Sequence, residues 1–238
     1  MERVTCPLFL YILFLFSSPA LAFDLEGQVK IKPPHPEPEL LQIDEKHQGE
    51  CGKEKVSPKL KVSPEGGVAN AVVKIEIATS ASGLLAMTSL RAPRPAEGGT
   101  RGEAILDQVN CEFSPHVLLM PAGSELSILN SEAMLHNVRA FDESVLMLFN
   151  VAMPKKGQVL KKRFKQPGRY ILRCGVHHWM HAILVATEHN YYALTDDTGH
   201  FKITGIPDGA HTLSVWHESL GELRAEVNPE NRRVELSY

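Results

Sequence analysis

The sequence predicts an all-β protein built on sandwiches of short strands, and three observations lead there. Runs of roughly four to eight residues alternate apolar and polar side chains, or stay apolar, at a spacing of about ten residues. Clusters of Gly, Pro, Asn and Asp separate these runs. No stretch repeats apolar residues convincingly with the period of an amphipathic helix, so no substantial helix is expected. At 238 residues, 43% of them apolar, the chain can bury one or two ordinary cores. Its formal net charge of −3 offers neither the basic excess that nucleic acid binding asks for nor the acidic run of a disordered tail.

Taken in order, Met1 to Arg3 precede an apolar run from Pro7 to Phe16, and Ser17 to Ala22 close it with small residues at Ala20 and Ala22. This is the layout of a secretory signal peptide over residues 1–22. Its run is too short, and ends too abruptly at Pro19, for a comfortable membrane anchor, which is the competing reading. The mature chain is expected to begin at Phe23, to be exported to a periplasmic or extracellular space, and to hold no membrane span. Phe23 to Ile31 alternates as a half-buried strand does. Lys32 to Pro64, rich in proline and charge, reads as a long surface loop pinned by Cys51. Gly66 to Ile77 is a turn running into a strong strand, and Ser80 to Gly102 is a second loop or linker.

Beyond Glu103 the expected strands are Val109–Phe113, Val117–Met120, Glu125–Leu129, His136–Phe141, Val159–Phe164, Arg169–Cys174 and Ala182–Thr187. Val145 to Met153 is apolar but undecided between strand and helix. The last fifty or so residues read as three alternating strands joined by turns at Asp197–Gly199 and Pro207–Gly209.

The densest chemistry lies between two of these strands. Arg173 to His181, R-C-G-V-H-H-W-M-H, carries a thiol, three imidazoles and a thioether. Soft sulfur beside imidazole nitrogen suits copper better than magnesium or calcium, which prefer oxygen. Export makes the compartment oxidising, and Cys6 leaves with the signal. Cys51, Cys111 and Cys174 remain, an odd count that suggests one disulfide and one thiol kept for another purpose. Cys174 sits in the metal loop, so Cys51 and Cys111 form the natural pair.

A mononuclear electron-transfer copper site takes two histidines and a thiolate near one plane, with a weak axial thioether. Cys174 and His177 stand as C-x-x-H, Met180 follows as the axial candidate, and His136 is the candidate remote histidine. At these residues the chain resembles the cupredoxins, the plastocyanin-like copper proteins. The resemblance covers about Cys111 to Thr187, carried by N-S-x-x-x-x-H-N-V from Asn130 to Val138 and by G-x-Y-x-x-x-C-x-x-H from Gly168 to His177. It is similar also to exported cupredoxin-like proteins, some labelled methylamine-utilisation proteins, that join C-x-V-H-x-W-M to V-W-H-E-x-L-G. Here those motifs are Cys174 to Met180 and Val215 to Gly221. The tail from Tyr191 to Trp216, with Gly27–Val29 and Gly66–Ile77, resembles a carboxypeptidase-regulatory-like sandwich of prealbumin type.

The chain departs from plastocyanin and pseudoazurin in one place. They set the axial methionine five residues after the loop histidine, where Ala182 stands here. A C-x-x-x-H spacing, as in the copper-A domain, would select His178; the missing second loop cysteine favours His177. Zinc would accept the same thiolate and imidazoles. His116 and His217 stay unassigned, with a second cross-strand metal site as one reading of them. His181 is expected to be exposed rather than a ligand, and His35, His47, His189, His200 and His211 are read as surface residues.

The resemblances imply a cupredoxin-like Greek-key sandwich over residues 103–188, inserted in or packed on a split prealbumin-like sandwich over 23–90 and 189–238. They imply one copper ion cycling between Cu(II) and Cu(I), and a non-enzymatic one-electron carrier. Its redox partner would dock on an apolar surface around His177 and Trp179. The alternative is copper storage, delivery or envelope interaction through a site that is not redox-active.

Overall fold

The computed structural model describes residues 22–77 and 104–238. The expected signal peptide, all but Ala22, and the expected 80–102 linker lie outside the described residues. The strands of the first stretch are β1 (Ala22–Lys30), β2 (Leu40–Gln42), β3 (Glu54–Val56) and β4 (Val72–Glu76). The second stretch begins with β5 (Ala104–Val109), β6 (Glu112–Ser114), β7 (Val117–Pro121), β8 (Glu125–Asn130), β9 (His136–Phe141) and β10 (Met147–Met153). It continues with β11 (Gln158–Arg163), β12 (Gly168–Arg173), β13 (His181–Thr187), β14 (Tyr192–Leu194), β15 (His200–Pro207), β16 (His211–His217), β17 (Gly221–Val227) and β18 (Arg233–Ser237). The protein is an all-β sandwich architecture.

Two pairs of sheets each close on their own core. The five-stranded sheet β10-β9-β12-β13-β7 and the four-stranded sheet β11-β8-β5-β6 share one apolar cluster. Leu106, Leu126 and Ile128 come from the smaller sheet, and Val138, Leu172 and Leu184 from the larger. The sheets β15-β1-β18 and β14-β4-β16-β17 enclose a second cluster around Leu25, Val73, Ile75, Ile203 and Leu213. A third, smaller cluster of Val72, Val117, Ile183 and Val185 lies where β4 of one pair meets β7 and β13 of the other.

The pleat explains this layering. Successive side chains on a strand point to opposite faces. On β13, Ala182, Leu184 and Ala186 enter the first core while Ile183 and Val185 enter the third cluster. Both faces are covered, which is why Ala182 to Thr187 reads as a nearly unbroken apolar run rather than an alternating one.

Two expectations need correcting, and one stretch left open is resolved. Val109 to Phe113 is not one strand: β5 ends at Val109, and Asn110 and Cys111, at φ +52° and +54°, turn the chain into β6. Two consecutive left-handed residues make a tight hairpin turn whose twist matches the strands it joins, and asparagine tolerates that conformation well. The Lys32–Pro64 loop carries the β2–β3 hairpin, a 3-10 turn at Glu45–His47 and a four-residue helix, α1 (Gln48–Cys51). Ile43 and Cys51 anchor that segment in the first core, and a disulfide ties Cys51 to Cys111. The undecided Val145–Met153 stretch is a turn followed by β10. Met147 to Met153 pairs with β9; from Phe149 its side chains alternate between half-buried and exposed, and Met153 is buried.

Candidate metal centre

β9 and the β12–β13 loop bring three soft donors to one point. His136 is the first residue of β9, and β9 pairs with β12, whose last residue precedes Cys174. The loop then folds back on itself. Cys174 N–H donates to the Met180 carbonyl at 3.1 Å, and Met180 N–H to the His177 carbonyl at 3.0 Å. At Gly175 the Arg139 and Asn137 side chains close over the backbone, and a larger residue would have to displace them. A Cβ there would lie 2.4 Å from the Arg139 guanidinium and 2.6 Å from Asn137 Oδ1, which accepts the Gly175 N–H at 3.1 Å.

The result is a triangle. Cys174 Sγ lies 3.7 Å from His177 Nδ1 and 4.0 Å from His136 Nδ1, and the two nitrogens are 3.1 Å apart. Metal bonds of about 2.3 Å to sulfur and about 2.05 Å to nitrogen, opened near 120°, separate the donors by about 3.8 Å. Two such nitrogens opened near 100° stand about 3.1 Å apart. The observed spacing therefore fits a single ion held by all three donors. His136, Cys174 and His177 are 0%, 4% and 2% exposed, so no solvent competes for the place between them.

The protonation pattern suits a cation as well. Glu132 Oε2 lies 2.9 Å from His136 Nε2, and a carboxylate can only accept. The proton therefore sits on Nε2, and the Nδ1 of a neutral ring turns its lone pair into the triangle. Burial pushes the Cys174 thiol up. The contacts with His136 and His177, and hydrogen bonds from the backbone N–H groups of His177 and Val176, more than reverse this and pull it down to about 5. Burial pushes His136 down, and its bonds to Cys174 and Glu132 more than reverse that. The pocket is built to hold a thiolate.

Of the two loop histidines, only His177 faces the triangle. His178 turns outward with its side chain 71% exposed and its Nε2 2.9 Å from Asp44. Met180 is 2% exposed and packs in the first core beside Cys174. The expected apolar docking surface is not where the loop implied it. His177 and Trp179 are 2% and 8% exposed, and Trp179 Nε1 donates inward to the Cys111 carbonyl at 3.0 Å.

The cover comes from the Glu45–Cys51 segment. The His47 ring meets His177 edge-on at 4.5 Å between centroids and Trp179 at 5.8 Å. His47 was read as a surface residue because nothing in its local pattern points inward; the signal lay sixty residues away, in the cysteine pairing that draws its helical turn over the loop. His116, unassigned in the sequence, meets His181 and Glu218 instead of His217. His217, 1% exposed, accepts the Ser219 N–H on its Nδ1. His189 is also half-buried, its ring tilted against those of Tyr191 and Tyr192 at 5.4 and 5.0 Å between centroids.

No family model matches this chain, and no curated protein does. Part of the chain is similar to solved copper proteins. A purple cupredoxin from Nitrosopumilus maritimus is 22% identical over 36% of this chain and 100% of its own, with a TM-score of 0.33. A reduced amicyanin variant is 25% identical over 42% of this chain and 95% of its own, at 0.34. A copper-containing nitrite reductase from Thermus scotoductus SA-01 is 22% identical over 37% of this chain, at 0.31, and the match spans 23% of that enzyme.

Proposed function

We propose that this chain is an exported cupredoxin-type protein that holds one copper ion and carries single electrons. The observation that carries the reading is the buried triangle of His136 Nδ1, Cys174 Sγ and His177 Nδ1. Two imidazoles and a thiolate are the donor set of electron-transfer copper sites, with Met180 as the nearby thioether. Copper, when bound there, supplies a reversible one-electron couple. The protein supplies the rest. Glu132 fixes the tautomer and orientation of His136, the loop amides hold the thiolate, and the surrounding core excludes water.

The depth of the donors favours a carrier over an enzyme, because a small-molecule substrate has no open path to them while an electron needs none. A redox protein is expected to approach over the Glu45–Cys51 turn, where His47 touches both His177 and Trp179. The segment 103–188 is read as the copper-binding sandwich. The chain on either side, 23–90 and 189–238, is read as the prealbumin-like sandwich into which it is inserted. The two separate cores support that division.

The test is optical. Copper-reconstituted protein should show an intense visible thiolate-to-copper band that bleaches and returns on one-electron reduction and oxidation. Cys174→Ser should abolish the band. Colourless metal binding, or release of the ion on reduction, would instead support a zinc, storage or delivery site.

A further inference from the structure

A second set of donors converges outside the triangle. His116 lies on the β6–β7 turn, His181 opens β13, and Glu218 sits on the β16–β17 turn, with ligand atoms all within 4.8 Å of one another. Glu218 belongs to the sheet pair around the second core, whereas both histidines belong to the first. The cluster therefore bridges the two.

Each imidazole is oriented by a backbone carbonyl. His116 Nδ1 is 3.2 Å from the His181 carbonyl, and His181 Nδ1 is 3.5 Å from the Trp179 carbonyl. A carbonyl can only accept, so each Nδ1 carries the proton and each Nε2 of a neutral ring presents a lone pair. Both Nε2 atoms aim at the same carboxylate: His116 contacts Glu218 Oε1, and His181 lies 3.4 Å from Oε2. Three acceptors facing one another call for protons or for a cation. Metal-binding histidines are characteristically held this way, with the other ring N–H on a carbonyl or carboxylate. The separation of 3.4 Å is also what two bonds of about 2.1 Å give at a tetrahedral angle.

We propose that His116 Nε2, His181 Nε2 and the Glu218 carboxylate form a second metal site, taking a divalent ion of zinc type and clamping the two sandwiches together. Two imidazoles and one carboxylate, without sulfur, favour zinc or a similar borderline ion over Cu(I). The side chains are 6%, 15% and 14% exposed, somewhat more than those of the first site. The site also adjoins the copper loop: His181 follows Met180, whose carbonyl accepts the Cys174 N–H.

The test uses the full chain carrying Cys174→Ser, which removes the thiolate of the first triangle, with zinc as the probe. Dialysed against buffered zinc and measured by elemental analysis, this chain should retain a zinc ion that is lost when Glu218→Gln or His116→Gln is added. Cobalt gives a second readout. In Cys174→Ser it should show only the weak d–d absorption of a nitrogen–oxygen site, and the added Glu218→Gln should remove it. Zinc should raise the Tm of Cys174→Ser and leave that of Cys174→Ser/Glu218→Gln unmoved, even if Glu218→Gln lowers stability by itself. Zinc retained equally with and without Glu218→Gln, or not retained by Cys174→Ser at all, overturns the proposal.

Discussion

The two donor clusters lie on either side of Met180, yet they are built on opposite plans. The first takes its donors from β9 and from the loop joining β12 to β13, all within one sheet. It closes under a disulfide-tethered turn and draws its negative charge from a thiolate. The second takes two donors from that sheet pair and one from the other, is slightly more exposed, and relies on a carboxylate. A buried charge is costly unless paired, and each cluster pairs its charge differently, the first within one sheet and the second across the two.

The strongest way to break this contrast is to open the first cluster. Replacing Cys51 and Cys111 by Ser removes a crosslink between residues 60 apart in sequence. Loop entropy puts that loss at about 4 kcal/mol, measurable by denaturant unfolding. The Glu45–Cys51 turn would lose its tether, and with it the contact of His47 with His177. Copper is then expected to leave the first site faster, while zinc exchange at the second is unchanged. An unaltered copper off-rate in a folded double variant would show that the turn does not close the site.

Acid offers a smaller perturbation that separates fold from clusters. Burial holds His189 down at about 4, with Glu188 opposing and Lys74 adding to that effect. Its Nδ1 accepts the Tyr191 N–H at 3.2 Å, a bond that only the neutral ring with its proton on Nε2 can make. The unfolded chain takes up this proton near pH 6.5 and the folded chain only near 4, so stability is full above 6.5 and falls with pH between them. The integrated loss is about 3 kcal/mol. His189→Gln should flatten the stability curve in that window. Any loss of metal that persists there then belongs to the clusters rather than to unfolding.

The same contrast governs what could be read from the sequence. Cys174, His177 and Met180 fall within seven residues, and His136 opens a strand of the same sheet, so the first triangle is visible as spacing. His177 over His178 was favoured on the missing loop cysteine, and the outward turn of His178 towards Asp44 supplies the physical reason. Glu218 is 102 residues from His116, and no local pattern announces which turn of one sandwich meets which turn of the other. The expectation that His181 is exposed failed for that reason, since its cover comes from a distant segment. Val109–Phe113 failed differently: a run of strand-like residues hid a turn that only Asn110 hinted at. Alternation predicts which residues share a face, but not which face another unit will cover.

The finest distinction between the clusters lies in how their histidines are oriented, and Glu132 tests it. In the second cluster the orienting groups are backbone carbonyls, which substitution leaves in place. In the first, a side chain does the work: Glu132 Oε2 receives both His136 Nε2–H at 2.9 Å and the Cys111 N–H at 3.0 Å. Removing such a partner costs about 10- to 100-fold in metal affinity. Two variants divide that cost. Glu132→Gln keeps an acceptor within reach of Nε2 but removes the charge that makes His136 more basic, so copper affinity should fall by about tenfold. Glu132→Ala also frees the ring to rotate, and the loss should approach about 100-fold. Competition titration against a copper chelator measures both. Equal losses in the two variants would mean that charge alone matters; no loss in either would mean that the β9 backbone and the packed loop already fix His136 without Glu132.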